Sequence, residues 1–269
     1  MSTAAAQRRE LGLFLRSRRA RLTPADVGLP STGRRRTPGL RREEIALVAG
    51  ISATWYTYLE QGRDVRPSEQ VLLALASALR LSPQERAHLL HLASSAPQPR
   101  RAEPERLAPE VAAIPLLLSA NPAYLTGANH DVLSHNPAAA ELFPDLDAPT
   151  GGRPNVARWV FTAPSARQVL VDWEREAQGL LARLRAAAGR HPGDPRFTSL
   201  IEELHAASPE VRAWWPRYDI QVSRGGAKRL RHPRLGLVTL THTAFHLADQ
   251  PEQTLVIYSD PAGSGPAPA

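Results

Sequence analysis

The sequence predicts a two-domain α+β protein: an all-α first domain of five helices, then a mixed domain with helices first and an antiparallel sheet last. Three observations carry this. Apolar residues recur at helical spacing through residues 1–95; the period drops toward two from Asp219 onward; and a proline-rich stretch, Ala96 to Pro109, reads as a linker between two domains. The expected layout is therefore 1–95, a linker at 96–109, a second domain at 110–260, and a frayed tail at 261–269.

In the first domain, Leu11, Phe14, Leu15 and Leu22 mark one face of a helix over 7–22. A loop with Pro24, Pro30 and Gly33 leads to the basic run Arg34–Arg36, and Pro38-Gly39 precede a second helix, Arg41 to Ala49. A third spans 53–60. Ser68 caps a fourth whose buried side holds Val71, Leu72, Leu75 and Leu79, and Ser82, with Pro83 at the first helical position, starts a fifth. In the second domain, Asp131 to Phe143 reads as a short strand leading into a short helix. Residues 164–190 predict one long helix through Val169, Leu170, Trp173, Leu180, Leu181 and Leu184, and Thr198 to Ala207 another. Ile220 and Val222, then Leu235, Leu237 and Leu240, then Leu255, Ile257 and Tyr258 alternate as strands, with Gly225-Gly226 between the first two runs.

Charge is lopsided. Residues 1–100 carry 16 arginines against 8 carboxylates, whereas the rest of the chain is close to neutral, so a polyanionic partner is expected for the first domain. No apolar run approaches the ~20 residues that span a bilayer, the N-terminus has no apolar signal core, and there is no cysteine; these suit a protein of the reducing cytoplasm, at the nucleoid, with no membrane partner.

Residues 42–62 carry the functional signal. Ala46 is small where two helices would cross, Gly50 can take the positive φ of a tight turn, Ile51 plugs that turn, and Ser52 caps the next helix. Tyr56 and Leu59 hold that helix on the core and Gly62 can end it, leaving Ala53, Thr54, Thr57 and Tyr58 outward. Taken alone, the pattern also fits a helical hairpin that binds nothing. The unbroken run, with Leu59-Glu60-Gln61-Gly62 and then Pro67-Ser68, resembles the Cro/C1-type helix-turn-helix family. The resemblance implies a recognition helix at 53–60 in the major groove, with Ala53, Thr54, Thr57 and Tyr58 nearest the base edges and Ser52 and Trp55 near the backbone. Arg42 stands where that family has a phosphate-contacting residue. Arg34, Arg35, Arg36, Arg41, Arg63 and Arg66 are further phosphate candidates, the first three open to reading as a solvated charge run.

The whole chain resembles MmyB-like regulators. The residues that carry this are Gly33 to Glu44, Asp131 to Phe143, Val171 to Glu174, Arg190 to Pro195 and Arg231-His232-Pro233. The resemblance implies a PAS-like second domain holding a small hydrophobic or fatty-acyl-like ligand. Arg158–Phe161 and Thr241–His246 depart from it, the first by bulk and the second by its two histidines. Without the family, the second domain's aromatics fit either a packed core or an apolar pocket. Tyr124, His135 and Asn136 are the candidate polar anchors, with Phe143, Trp159, Phe161, Trp173, Trp214 and Phe245 as the apolar lining. His242 and His246 lie too far apart along a strand for a metal pair, and no G-x-S-x-G elbow, phosphate loop or dinucleotide fingerprint occurs. No catalytic residue, metal or cofactor is expected. The expected partners are an operator in double-stranded DNA, a second copy of the chain and the small ligand. The competing reading is a DNA-binding scaffold whose second domain only dimerises or holds a protein partner.

Overall fold

The computed structural model describes residues 3–30, 39–94, 105, 107–145, 153–219 and 225–260. The Arg34–Arg36 run, most of the expected linker, Ile220, Val222 and the expected tail lie outside the described residues. The chain divides into two compact units. One comprises Met1–Arg101 with Ala188–Pro195 and Ala213–Gln221, and the other Ala102–Ala187, Arg196–Arg212 and Val222–Ala269.

The first unit contains α1 (Thr3–Arg21), α2 (Arg42–Ala49), α3 (Ala53–Glu60), α4 (Glu69–Ala78) and α5 (Pro83–Ala93). Three starts follow from local chemistry, since Ser52, Ser68 and Ser82 each accept a hydrogen bond from the backbone N–H three residues on. Glu85 completes a capping box by accepting from the Ser82 N–H at 2.8 Å. Leu11, Phe14, Leu15, Ile45, Tyr56, Leu59, Leu75 and Leu89 close one core. Gly50 turns the chain between α2 and α3 at φ 67°, and Gly12 lets α1 cross close to α3: a Cβ there would lie 2.5 Å from the Glu60 carbonyl oxygen.

Downstream residues complete this core. Tyr218, 7% exposed, packs into it. Arg18 donates to the Tyr218 carbonyl and pairs with Glu85 at 2.6 Å, and the Ser17 hydroxyl donates to the Arg217 carbonyl at 2.9 Å. His88, read from sequence as a surface or packing residue, is buried edge-on to Phe14, with Gly189 against its ring.

The remaining elements are α6 (Pro109–Ala112), α7 (Ile114–Leu117), β1 (Ala123–Thr126), β2 (Val132–His135), α8 (Pro137–Leu142), α9 (Val156–Thr162), α10 (Pro164–Val169), α11 (Trp173–Arg190), α12 (Pro195–Ala207), α13 (Pro209–Trp214), β3 (Gly226–His232), β4 (Gly236–His246) and β5 (Thr254–Ser259). The strands form one antiparallel sheet in the order β2-β1-β5-β4-β3. This is the α+β class expected, an antiparallel sheet with helices, but its order differs from helices first and sheet last: β1 and β2 precede α8–α13, and only β3–β5 follow them.

The helix expected at 164–190 and the strand β3 also differ from the sequence expectation. The single helix at 164–190 is broken: Leu170 leaves the helical region, pairs with Leu230 in an isolated bridge, and the Val171 N–H donates to the Arg229 carbonyl. Pairing with the sheet edge there outweighs an unbroken helical period. β3 went unread because its residues, Gly-Ala-Lys-Arg-Leu-Arg-His, lack alternating hydrophobics; only Leu230 is buried.

Register sets the sheet's inner face. Tyr124 lies opposite Val256, Tyr258 opposite His242, and Lys228 opposite Leu240, while Tyr124, Val256, Tyr258 and His242 are all buried. Across one face run Lys228 of β3, His242 of β4, Tyr258 of β5 and Tyr124 of β1.

Candidate functional site

In the first unit, α3 presents two unlike sides. Tyr56, Leu59 and Glu60 are buried; Thr54 is exposed, and Ala53, Trp55, Thr57 and Tyr58 are half-buried. Ala53 and Trp55 pack against the core edge. Ser52 is spent as the cap, accepting from the Trp55 N–H at 3.0 Å, and the Thr57 hydroxyl donates to the Ala53 carbonyl at 2.8 Å, which leaves it able only to accept. Tyr58 lies under the Arg63 guanidinium, 4.4 Å from its ring centroid, and Gln61 accepts from Arg63 Nε. Arg41, Arg63 and Arg66 are exposed.

Arg42 has a second occupation. Its guanidinium holds Glu60 Oε1, at 3.0 Å from Nε and 2.8 Å from the terminal nitrogen, while its side chain stays 42% exposed. Arg19 of α1 grips the same carboxylate, Nε on Oε2 at 2.8 Å and a terminal nitrogen on Oε1 at 2.9 Å. Burial by itself would raise the Glu60 carboxyl; the hydrogen bonds and charge of Arg19, then of Arg42, outweigh it and hold the group below the usual glutamate range. One carboxylate thus ties together α1, the start of α2 and the end of α3. Arg19 was not singled out from the sequence, and Glu60 entered only as part of the Leu59–Gly62 run, without this role. The available signal was a carboxylate four residues after buried Tyr56, on the buried stripe, where a charge must have a partner.

In the second unit, the candidate ligand residues separate into three groups. Tyr124, Phe143 and Trp159 come together around Tyr258: Phe143 lies 5.3 Å from Tyr258, 6.0 Å from Tyr124 and 5.4 Å from Trp159, ring centroid to centroid. Phe161 and Trp173 form a separate pair at 6.2 Å, with the Arg167 guanidinium over Trp173 and the indole N–H donating to the Val160 carbonyl.

The others are placed elsewhere. Asn136, chosen as a polar anchor, is fully buried and spends its whole amide structurally. Its oxygen accepts from the Ala123 and Ala139 N–H groups, and its nitrogen donates to the Pro115 and Asn121 carbonyls. All four hydrogen-bonding positions are used, which leaves none for a ligand. His135 is half-buried beside the Asn136 carbonyl. Phe245 is 52% exposed, because its neighbour in register, Leu255, also faces away from Val256 and Tyr258. Trp214 belongs to the first unit.

Tyr258, His242, Lys228, Glu176 and Arg183 were missed as a group. They come from separate strands and from α11, so no local spacing joins them.

Among the described residues, no group of three or more His, Cys, Asp or Glu could hold a metal, and no helix is long and apolar enough to cross a membrane. No curated protein matches the chain. A helix-turn-helix domain family matches residues 10–89, covering α2 and α3 and the turn between them. The MmyB-like transcription regulator ligand binding domain matches residues 107–269, covering all five strands. A helix-turn-helix followed by a ligand-binding domain of this kind makes the chain a DNA-binding transcription regulator, and it belongs to the MmyB-like family.

Proposed function

We propose that this regulator reads an operator with the outer side of α3 and answers to a small apolar, fatty-acyl-like molecule held in its second domain. Thr54 and Tyr58, with the Ala53 and Thr57 methyl groups, make the base contacts. Arg41, Arg63, Arg66 and the outer edge of Arg42 hold phosphates and supply most of the affinity. One recognition helix addresses only a short site. The active form is therefore a homodimer, with half-sites about one helical turn, ~34 Å, apart.

The ligand reading is carried by one observation, the cluster of Tyr124, Phe143, Trp159 and Tyr258 against the inner face of the sheet. Such a cluster offers an apolar molecule flat ring surfaces, while the tyrosine hydroxyls supply polar ends. A coupling of ~1–3 kcal/mol between the ligand and operator sites would change operator affinity by 5–150-fold.

The test starts from the full chain purified under mild conditions. Extracted lipid is identified by mass spectrometry, fatty acids are titrated against tryptophan emission, and operator affinity is measured with and without them. Saturable quenching together with a changed operator affinity supports the sensor. A saturable ligand that leaves operator affinity unchanged removes the sensing, and no binding at all leaves the dimerising scaffold. Sedimentation as a monomer at micromolar concentration, with a non-palindromic footprint, removes the dimer.

A further inference from the structure

One face of α1 holds a segment that lies some 200 positions downstream in the chain. Glu10, Phe14, Ser17, Arg18 and Arg21 recur at helical spacing along that face. The Ser17 hydroxyl donates to the Arg217 carbonyl at 2.9 Å, and Arg21 donates to the same carbonyl and, at 2.6 Å, to Asp219 Oδ1. Arg18, buried with its guanidinium over the Phe14 ring, divides its terminal nitrogens between the Tyr218 carbonyl and Glu85 of α5. The Tyr218 ring is packed in the core of this unit, and its hydroxyl donates to Glu10 at 3.4 Å. The segment is a 3-10 turn, Trp215–Arg217, ended by Tyr218 at φ 57°. A bulky residue holds that left-handed conformation only where its surroundings compensate.

Between these grips, Arg19 holds the end of α3 instead, with bonds of 2.8 and 2.9 Å to Glu60. The last turns of α1 thus carry the downstream segment on one side and α3 on another. We propose that Trp215–Asp219 is a strap whose docking on α1 sets the seat of α3, so that DNA binding is switched by a segment outside the helix-turn-helix itself. With the strap released, Arg18 loses the Tyr218 carbonyl and the core loses the Tyr218 ring. The end of α1, and Arg19 with it, can then shift against Glu60. Along the chain the strap runs on toward β3, the edge strand of the second unit's sheet. It is therefore a covalent route by which a change in that strand reaches α1. The strap needs no ligand in place, so the proposal stands apart from the ligand reading above.

The test uses the full chain, a duplex recovered by binding selection with it, and single-base variants of that duplex. Ser17→Ala combined with Asp219→Ala removes two of the outer grips and leaves every arginine in place. It makes the chain more basic, so by charge alone every duplex should bind tighter. The strap predicts the opposite: a loss of about threefold or more on all the duplexes alike, with faster amide exchange at Arg217–Asp219. Tyr218→Ala should weaken operator binding at least ~10-fold, and Tyr218→Phe, which keeps the ring, should restore it to within about twofold. Should Tyr218→Ala fail to fold, the Ser17 and Asp219 pair carries the test alone. Unchanged or tighter binding in that pair overturns the strap, as does weaker binding without faster exchange. A changed base preference places the segment at the bases and overturns it too. A loss in Tyr218→Ala that merely follows the unfolded fraction in a urea titration assigns the ring to packing and overturns the switch.

Discussion

The two units each bury charge on an inner surface, but they close the account differently. In the first, the one carboxylate, Glu60, meets both Arg19 and Arg42 within 3.0 Å. In the second, Glu176 is taken by Lys228 and Arg175, Arg183 is left over, and His242 Nδ1 is unsatisfied. Folding a protein favours the first outcome, because an unpaired buried group costs more than a hydrogen bond returns. A carboxylate gripped from two helices holds those helices in place.

The largest effect that would break this contrast is expected at Glu60. Glu60→Ala leaves two guanidinium groups at the α1–α3 crossing without their anion and should cost about 3–5 kcal/mol. Urea denaturation of the full chain measures it, and a loss under ~1 kcal/mol would mean the cluster is no brace. Operator affinity should fall for all sequences together, since α3 is displaced and not rewritten.

Acid separates the two clusters next. His242 has a folded value near 3 against an unfolded value near 6.5, so the unfolded chain binds the extra proton in between. Its contribution is complete above about pH 6.5 and is lost as pH falls toward 3, by up to ~1.4 kcal/mol per unit. Glu60 is held low, so its contribution is complete above the unfolded glutamate value of ~4.3 and is lost only below it. His242→Phe should therefore flatten the stability profile between pH 6.5 and 4.5 and leave the steeper acid limb. A profile unchanged by that variant would show His242 is not buried neutral. The groups facing His242 are Lys228, Arg183, Glu176 and Tyr258.

The proposed base-reading residues lie outside both clusters, which gives a smaller and more selective effect. Thr54→Ala should shift preference at one base pair by ~1–3 kcal/mol with stability unchanged. Arg66→Ala should weaken all sequences alike and lower the salt slope by ~0.9. If binding selection finds the two variants indistinguishable, α3 does not read bases through Thr54. The smallest effect is at the cap. Ser52→Ala removes the acceptor for the Trp55 N–H and should cost ~1 kcal/mol of stability, measured by the same urea titration.

Much of the first unit was legible in the sequence because its signals are local. A serine cap, a glycine at positive φ and an apolar stripe each act within a few residues. Ser52, Ser68, Ser82 and Gly50 therefore mark real helix ends, and Tyr56 and Leu59 are buried as their spacing implies. Asn136 is a local signal read for the wrong purpose. A polar residue before Pro137 caps α8, and that role together with its three longer-range bonds takes up the amide. The break at Leu170 and the strand Gly226–His232 escaped for the opposite reason, since each is stabilised by the other across a wide gap in the chain.

The sequence by itself determined the helix-turn-helix, the basic first third and the α+β class of the second domain. All of these are set by spacing, composition or a cap a few residues away. Tertiary structure alone decided that Glu60 is shared by Arg19 and Arg42, that Tyr218 completes the core of the first unit, and that His242 lies against Tyr258 on the sheet's inner face. Each of those depends on strand register or helix crossing, which bring together residues whose separation along the chain carries no periodic trace.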